Sequence, residues 1–208
     1  MKILGLSDLE VPGVYSTFIK SRFKDIDLVV SCGDLPANYL EFVVSSLDIP
    51  VYFVHGNHVP HIQDQEGNWK IDPEGAINLH KIVHYDEKND LILTGIEGSL
   101  LYNFGPYQYS QQQMWNMVYS LVPRLLLNKA VYGRYLDVFV THAAATGIHD
   151  DDDPAHQGVD AFRWLIDTFQ PKLHLHGHVH IYNPLLPRET KYKKTRVINT
   201  YGYREITI

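Results

Sequence analysis

The sequence predicts an α/β fold of mixed, largely parallel β-sheets flanked by helices. Three observations lead there. The apolar runs 2–6, 27–32, 50–54, 136–140 and 172–176 are mostly continuous, the pattern of strands buried on both faces. Segments of helical spacing fill the gaps between the first three runs and recur before the last, and such alternation argues a parallel sheet covered by helices. Each run stops short at Asp, Gly, Asn, Thr or His, the residues that turn a chain or bind a ligand.

Taken in order, Lys2–Leu6 is a buried strand ending at Ser7-Asp8, and Pro12-Gly13 marks entry to a helix over Val14–Phe23. Asp27–Cys32 is the second strand, closed by Gly33-Asp34, with a helix over Ala37–Leu47 behind it. Pro50–Val54 is the third, ending at His55-Gly56-Asn57-His58. Lys81–Tyr85 and Leu91–Thr94 read as a hairpin pair around Glu87–Asp90. Residues 99–109, rich in aromatics and glycine, read as a long loop. Gln111–Asn128 carries Met114, Val118 and Leu121 at helical spacing, with a kink expected at Pro123. Leu136–Val140 is a strand ending in Thr141-His142; a helix over Val159–Thr168 then leads to the strand Lys172–His176 and its terminus Gly177-His178-Val179-His180. Arg196–Asn199 and Arg204–Ile208 are closing strands at a sheet edge.

The 208 residues, 45% hydrophobic and 20% charged, suit one domain over 1–208, with a loop-plus-helix insertion at about 99–128 near the site. No apolar run approaches the roughly 18–20 residues a membrane span needs. Met1–Asp8 reads as the opening strand rather than a secretory signal, and Cys32 as the only cysteine permits no intrachain disulfide, so a cytoplasmic setting is expected. A net charge of −6 disfavours a partner such as long nucleic acid, whose phosphates need many cationic side chains. It leaves room for a small phosphoester, because two divalent cations would bring about +4 to the site itself. The 12 histidines cluster at 55, 58 and 61 and at 174, 176, 178 and 180, which a hydrophobic core does not require and a metal site does.

Metal-ligand residues follow buried strands at Asp8-Leu9-Glu10, Gly33-Asp34, Gly56-Asn57-His58, Thr141-His142 and Gly177-His178-Val179-His180. In α/β sheets the carboxyl ends of strands share one rim, where ligands bind, so these residues are expected to meet in one cleft. The glycines allow sharp turns and close approach to a ligand. Carboxylate oxygens and imidazoles without thiolate suit two divalent cations of the Mn, Fe, Zn or Ni kind, manganese included, and a carboxylate such as Asp34 is able to bridge two of them. Two cations about 3.5–4 Å apart hold the attacking and leaving oxygens of a phosphoryl transfer.

These ordered segments resemble the calcineurin-like metallophosphoesterases, whose motifs are D-x-H, G-D, G-N-H, a strand-ending histidine and G-H-x-H. Four occur here unaltered, as Gly33-Asp34, Gly56-Asn57-His58, His142 and Gly177-His178-Val179-His180. The resemblance implies that family's sandwich of sheets and a dinuclear centre. In it Asp34 bridges the cations, Asp8 and His180 hold the first, and Asn57, His142 and His178 hold the second. It also implies in-line attack by a metal-bound hydroxide, with His58 stabilising the phosphate and protonating the leaving oxygen. Glu10 stands where the family has histidine. It is expected as an oxygen ligand of the first cation, which would make that site harder, or as a neighbour of the ligands.

The remaining segments are read more plainly. His55, His174 and His176 serve packing or support the ligands by hydrogen bonds. The acidic run His149–Asp153 is a solvated loop, and Lys191–Arg196 a charged edge strand. Tyr102, Asn103 and Tyr107 in the aromatic loop, with His156 farther on, are the candidates for substrate contact, by stacking on a base or covering an apolar leaving group. The sequence therefore predicts a phosphoesterase for a diester or monoester, a diester of small or nucleotide type slightly favoured. The competing reading is a non-catalytic protein of the same fold with weak metal occupancy.

Overall fold

The computed structural model describes residues 1–58, 72–182 and 187–208, with backbone also at 62–63 and 69–70. His61 lies outside the described residues. The chain opens with β1 (Lys2–Ser7), a one-turn helix α1 (Ile19–Arg22), β2 (Leu28–Ser31), α2 (Ala37–Leu47) and β3 (Val51–Phe53). The hairpin of β4 (Ile62–Gln63) and β5 (Trp69–Lys70) precedes β6 (Ile77–Asn78), β7 (Val83–Asp86) and β8 (Leu91–Ile96). Then follow β9 (Ser99–Leu100), β10 (Gln108–Tyr109), α3 (Gln111–Tyr132), β11 (Val138–Thr141), α4 (Asp160–Phe169), β12 (Leu173–His176), β13 (Glu189–Tyr192), β14 (Thr195–Asn199) and β15 (Gly202–Thr207).

Two sheets carry the fold. One has the order β15-β1-β2-β3-β6 and the other β13-β14-β12-β11-β8-β7. All pairings within them are parallel except those of β15, β13 and β7, which sit at edges. The strands are apolar on both faces because each sheet is covered twice. Ile3, Val30 and Tyr52 of the first sheet meet Leu93, Val138, Leu173 and Ile198 of the second. On the outer faces, Leu4, Val29 and Phe53 pack with Ile19, Tyr39 and Val43 of α1 and α2. Ile92 and Phe139 pack with Val118, Leu121, Phe162 and Leu165 of α3 and α4. Each aliphatic or aromatic side chain so buried contributes about 1.5–3 kcal/mol, which is why the two-sheet sandwich with helices outside is preferred over one open sheet.

Several expected elements are corrected. Only Ile19–Arg22 of the helix expected at 14–23 is α-helical. Pro12-Gly13 and Ser16-Thr17 hold the stretch before it in turns, with Tyr15 N–H donating to Val11 O at 3.0 Å and Ile19 N–H to Ser16 O at 3.1 Å. The loop at 99–109 is tied by β9 pairing parallel with β10. The helix starting at Gln111 runs through Pro123 to Tyr132, capped by a Ser110–Gln113 capping box and ended by Gly133 at φ 72°. The closing strands belong to different sheets: β14 is interior to one, while β15 is an edge of the other. The charged edge strand expected at 191–196 is divided: β13 takes the edge beside β14 and ends at Tyr192, while Thr195 and Arg196 open β14, so the lysines at 191, 193 and 194 lie on an edge hairpin.

The carboxyl ends of β1, β2 and β3 open on the same rim as those of β8, β11 and β12. A backbone bond stitches the two sheets there, Gly98 N–H donating to His55 O at 2.9 Å, while Gly177 N–H to His142 O at 3.0 Å ties adjacent strand ends of the second sheet.

Candidate metal centre

Asp8 comes directly after β1 and Asp34 shortly after β2, and both sit in the left-handed region, at φ 62° and 56°, as does His178 at 66°. Such conformations cost energy for a residue with a side chain and cluster at functional sites. Here they turn the side chains back over the rim. Close packing of backbone on carboxylate makes room for this at two glycines. A Cβ on Gly56 would overlap Asp34 Oδ1, and one on Gly177 would lie 2.5 Å from Asp8 Oδ2.

Asp8, Asp34 and His142 bring ligand atoms within 4.8 Å of one another. Asp34 Oδ2 lies 3.3 Å from His142 Nε2, and Asn57 Oδ1 lies 3.0 Å from the same nitrogen. Asp34 Oδ1 accepts the His58 backbone N–H at 2.8 Å. Asp8 accepts the His178 N–H, at 3.1 Å through Oδ1, and faces His180 Nε2 at 3.6 Å. The His178 ring lies 4.8 Å from that of His142, and its Nε2 donates to Ala155 O at 2.6 Å. The segments found far apart along the sequence thus meet in one place.

The electrostatics fit a cation. Burial pushes the His142 imidazole down, but the Asp34 carboxylate overrides it, and the group is pushed up to about 9. Burial likewise raises Asp34, yet His142 and the N–H of His58 hold it down at about 2. His142 Nδ1 donates to Cys32 O at 2.7 Å, so its Nε2 proton lies among oxygens of Asp34 and Asn57, where a divalent cation would take its place. Burial, then the neighbouring His142, pushes His178 down to about 4, the neutral form a metal requires. The donor set of two carboxylates, an amide oxygen and imidazoles fits the borderline divalent cations.

The other candidates divide. His58 is on the exposed rim, its Nε2 3.0 Å from Tyr102 Oη, and Asn57 Nδ2 donates to the same hydroxyl at 2.9 Å. His156 lies against His178, ring centroids 5.0 Å apart, and pairs with Asp153 at 2.7 Å. Asn103 is engaged inside its loop, accepting from Gln108 Nε2 at 2.7 Å, and Tyr107 packs on His55 at 5.1 Å. Glu10 is exposed and stands outside the Asp8–Asp34–His142 group.

Tyr182, Tyr201 and Thr190, not singled out from the sequence, also build the site. Tyr182 Oη bonds His180 Nδ1 at 2.8 Å, and Tyr201 packs tilted against its ring with centroids 4.8 Å apart. On the sheet's outer side, Thr190 Oγ1 meets His149 Nε2 at 2.8 Å and His149 Nδ1 meets His176 Nε2 at 2.9 Å. His176 Nδ1 donates to Gly177 O at 3.1 Å. With all three groups neutral the donors run one way, from Thr190 to the backbone just ahead of His178. Carbonyls and hydroxyls of this kind have no sequence signature.

Among the described residues no helix is long and apolar enough to cross a membrane. Among curated proteins none matches this chain. Among solved structures it is similar to the TT1561 protein of Thermus thermophilus, with 15% identity and a TM-score of 0.64 over 97% of this chain and 89% of that one. GAP50 of Plasmodium, the anchor in the inner membrane complex, gives 15% identity and a TM-score of 0.49 over 96% and 70%. Likeness at such identity shows the fold and not the activity. A sequence model of the calcineurin-like phosphoesterases matches residues 1–182, the span that holds every motif residue of the rim, and the chain belongs to that family.

Proposed function

We propose that this chain is a metal-dependent phosphoesterase that hydrolyses small phosphoesters, with diesters favoured over monoesters. The observation that carries the reading is the buried convergence of Asp8, Asp34 and His142, with the Asn57 amide oxygen on the same nitrogen and His58 at the rim above. Asp8 and His180 would hold one cation, Asn57, His142 and His178 the other, and Asp34 both. Such cations lower the pKa of water and neutralise charge building on phosphoryl oxygens. The protein's own part is positional. Asp34 Oδ1 anchors the His58 backbone, which sets that imidazole over the rim to protonate the departing oxygen.

Preference for a diester is supported by charge. The groups that pair with the site's carboxylates are imidazoles, His142 with Asp34 and His180 with Asp8, and among the described residues no lysine or arginine does so. That balance suits the single charge of a diester better than a monoester dianion. One observation favours the competing reading of a binding protein: exposed Glu10 leaves the first cation with fewer built donors than the second.

Calorimetric titration of metal-stripped protein with Mn(II), followed by rates on bis-p-nitrophenyl phosphate and p-nitrophenyl phosphate, tests the proposal. Two equivalents bound and faster diester turnover are expected. Uptake of one or none, with neither ester hydrolysed, would establish the binding protein instead.

A further inference from the structure

We infer that Tyr102 is a positioning residue whose hydroxyl orients both the Asn57 amide and the His58 imidazole, rather than a platform for substrate. The inference rests on the phosphoesterase reading above. Tyr102 Oη lies 2.9 Å from Asn57 Nδ2 and 3.0 Å from His58 Nε2. An amide nitrogen only donates, so the phenol oxygen accepts from Asn57. With Nδ2 committed to Tyr102, the amide is held in the one orientation that turns Oδ1 toward His142 Nε2, where it stands at 3.0 Å. A flipped amide would put two N–H groups against the cation position.

His58 Nε2 is thereby tied to the same oxygen that accepts from Asn57. No described residue bonds the ring's Nδ1, which is left for the substrate side. The hydroxyl's own position is set in advance. Tyr102 N–H donates to Gln108 Oε1 at 3.1 Å, Gln108 is bonded to Asn103 at 2.7 Å, and Leu101 N–H donates to Tyr109 O at 3.0 Å. The loop is thereby laced to β10, and holding a ligand-orienting group on a fixed frame is worth about 10–100-fold in metal affinity elsewhere.

The test removes the hydroxyl and keeps the ring. Tyr102→Phe, Tyr102→Ala and the wild type are stripped of metal and titrated with Mn(II) by calorimetry, then assayed on bis-p-nitrophenyl phosphate. Tyr102→Phe is expected to bind Mn(II) about tenfold more weakly. Its kcat should fall with KM held within about twofold, and Tyr102→Ala should lose little more. Wild-type Mn(II) affinity and kcat in Tyr102→Phe would overturn the inference. So would a rise in KM confined to Tyr102→Ala, which marks the ring as a substrate contact. A wild type that takes up no Mn(II) overturns the phosphoesterase reading and this inference with it, whereas a responsive wild type with an unchanged Tyr102→Phe overturns this inference alone.

Discussion

The Asp34 carboxylate and the His142 imidazole face each other at 3.3 Å, Oδ2 to Nε2, although one follows β2 and the other β11. Those strands belong to different sheets. The contact is therefore made only when the sandwich has closed with its two rims aligned, and the ion pair reports the assembled site.

Replacing Asp34 with Ala removes the carboxylate proposed above to bridge the two cations. The His142 imidazole then loses the attraction that outweighs its burial. Mn(II) binding and hydrolysis are both expected to vanish, read by metal analysis after dialysis and by diester turnover. Two cations per chain in the Asp34→Ala protein would remove its bridging role.

His58→Ala tests a different link. The side chain is at the rim, while its backbone N–H, which bonds Asp34, survives the substitution. Turnover should fall by roughly 10²–10⁴, the usual worth of a positioned acid, with metal content unchanged. Loss of metal would instead make the His58 ring part of the cation shell.

What the sequence disclosed follows from which interactions are local. Apolar runs ending in Asp34, Asn57 or His142 marked both the strands and the rim, because burial on two faces and ligand chemistry each leave residue-type signatures. The helix at Ala37–Leu47 was legible for the same reason. By contrast, β6, β9 and β10 are two-residue strands, too short to show a periodicity, and exist through the partner strand each one meets. The helix expected over 14–23 failed because turn residues competed with apolar spacing. The sequence offers Tyr102 as a substrate contact from its place in an aromatic loop near the rim; its two hydroxyl bonds arise from where the loop lands, which no spacing encodes.

Gly177→Ala probes the close approach of backbone to ligand. The new Cβ would lie 2.5 Å from Asp8 Oδ2 and 2.7 Å from Ser7 Cβ and Oγ. Strand β1 is paired on both sides, so the carboxylate must give way instead. Overpacking of this kind costs about 1–3 kcal/mol. A lower urea midpoint and weaker Mn(II) binding are expected together. A variant matching wild type in both would show that Asp8 has freedom the packing denies it.

Stability should fall as pH drops below about 6.5, the ordinary histidine value, and part of the cause lies away from the metal centre. Burial pushes His80 down to about 4, and Lys81 adds to the effect. Its Nδ1 accepts the Glu97 N–H at 3.1 Å, a bond only the unprotonated nitrogen makes. Burial also holds His174 well below the usual range. In both cases the unfolded chain binds a proton before the folded one does, so the stability they contribute is complete above the unfolded value and declines as acid is added. Glu97, 3.4 Å from His80, acts the other way: burial raises it, so the folded state takes up its proton early and offsets part of the loss near the acid end. The decline is consequently steepest between about pH 6.5 and 5, at up to about 1.4 kcal/mol per pH unit for each histidine. Urea midpoints taken across pH 4–8 for wild type and His80→Gln check this. The variant should show a shallower slope, and equal slopes would mean that His80 takes up its proton in the folded chain as readily as in the unfolded one.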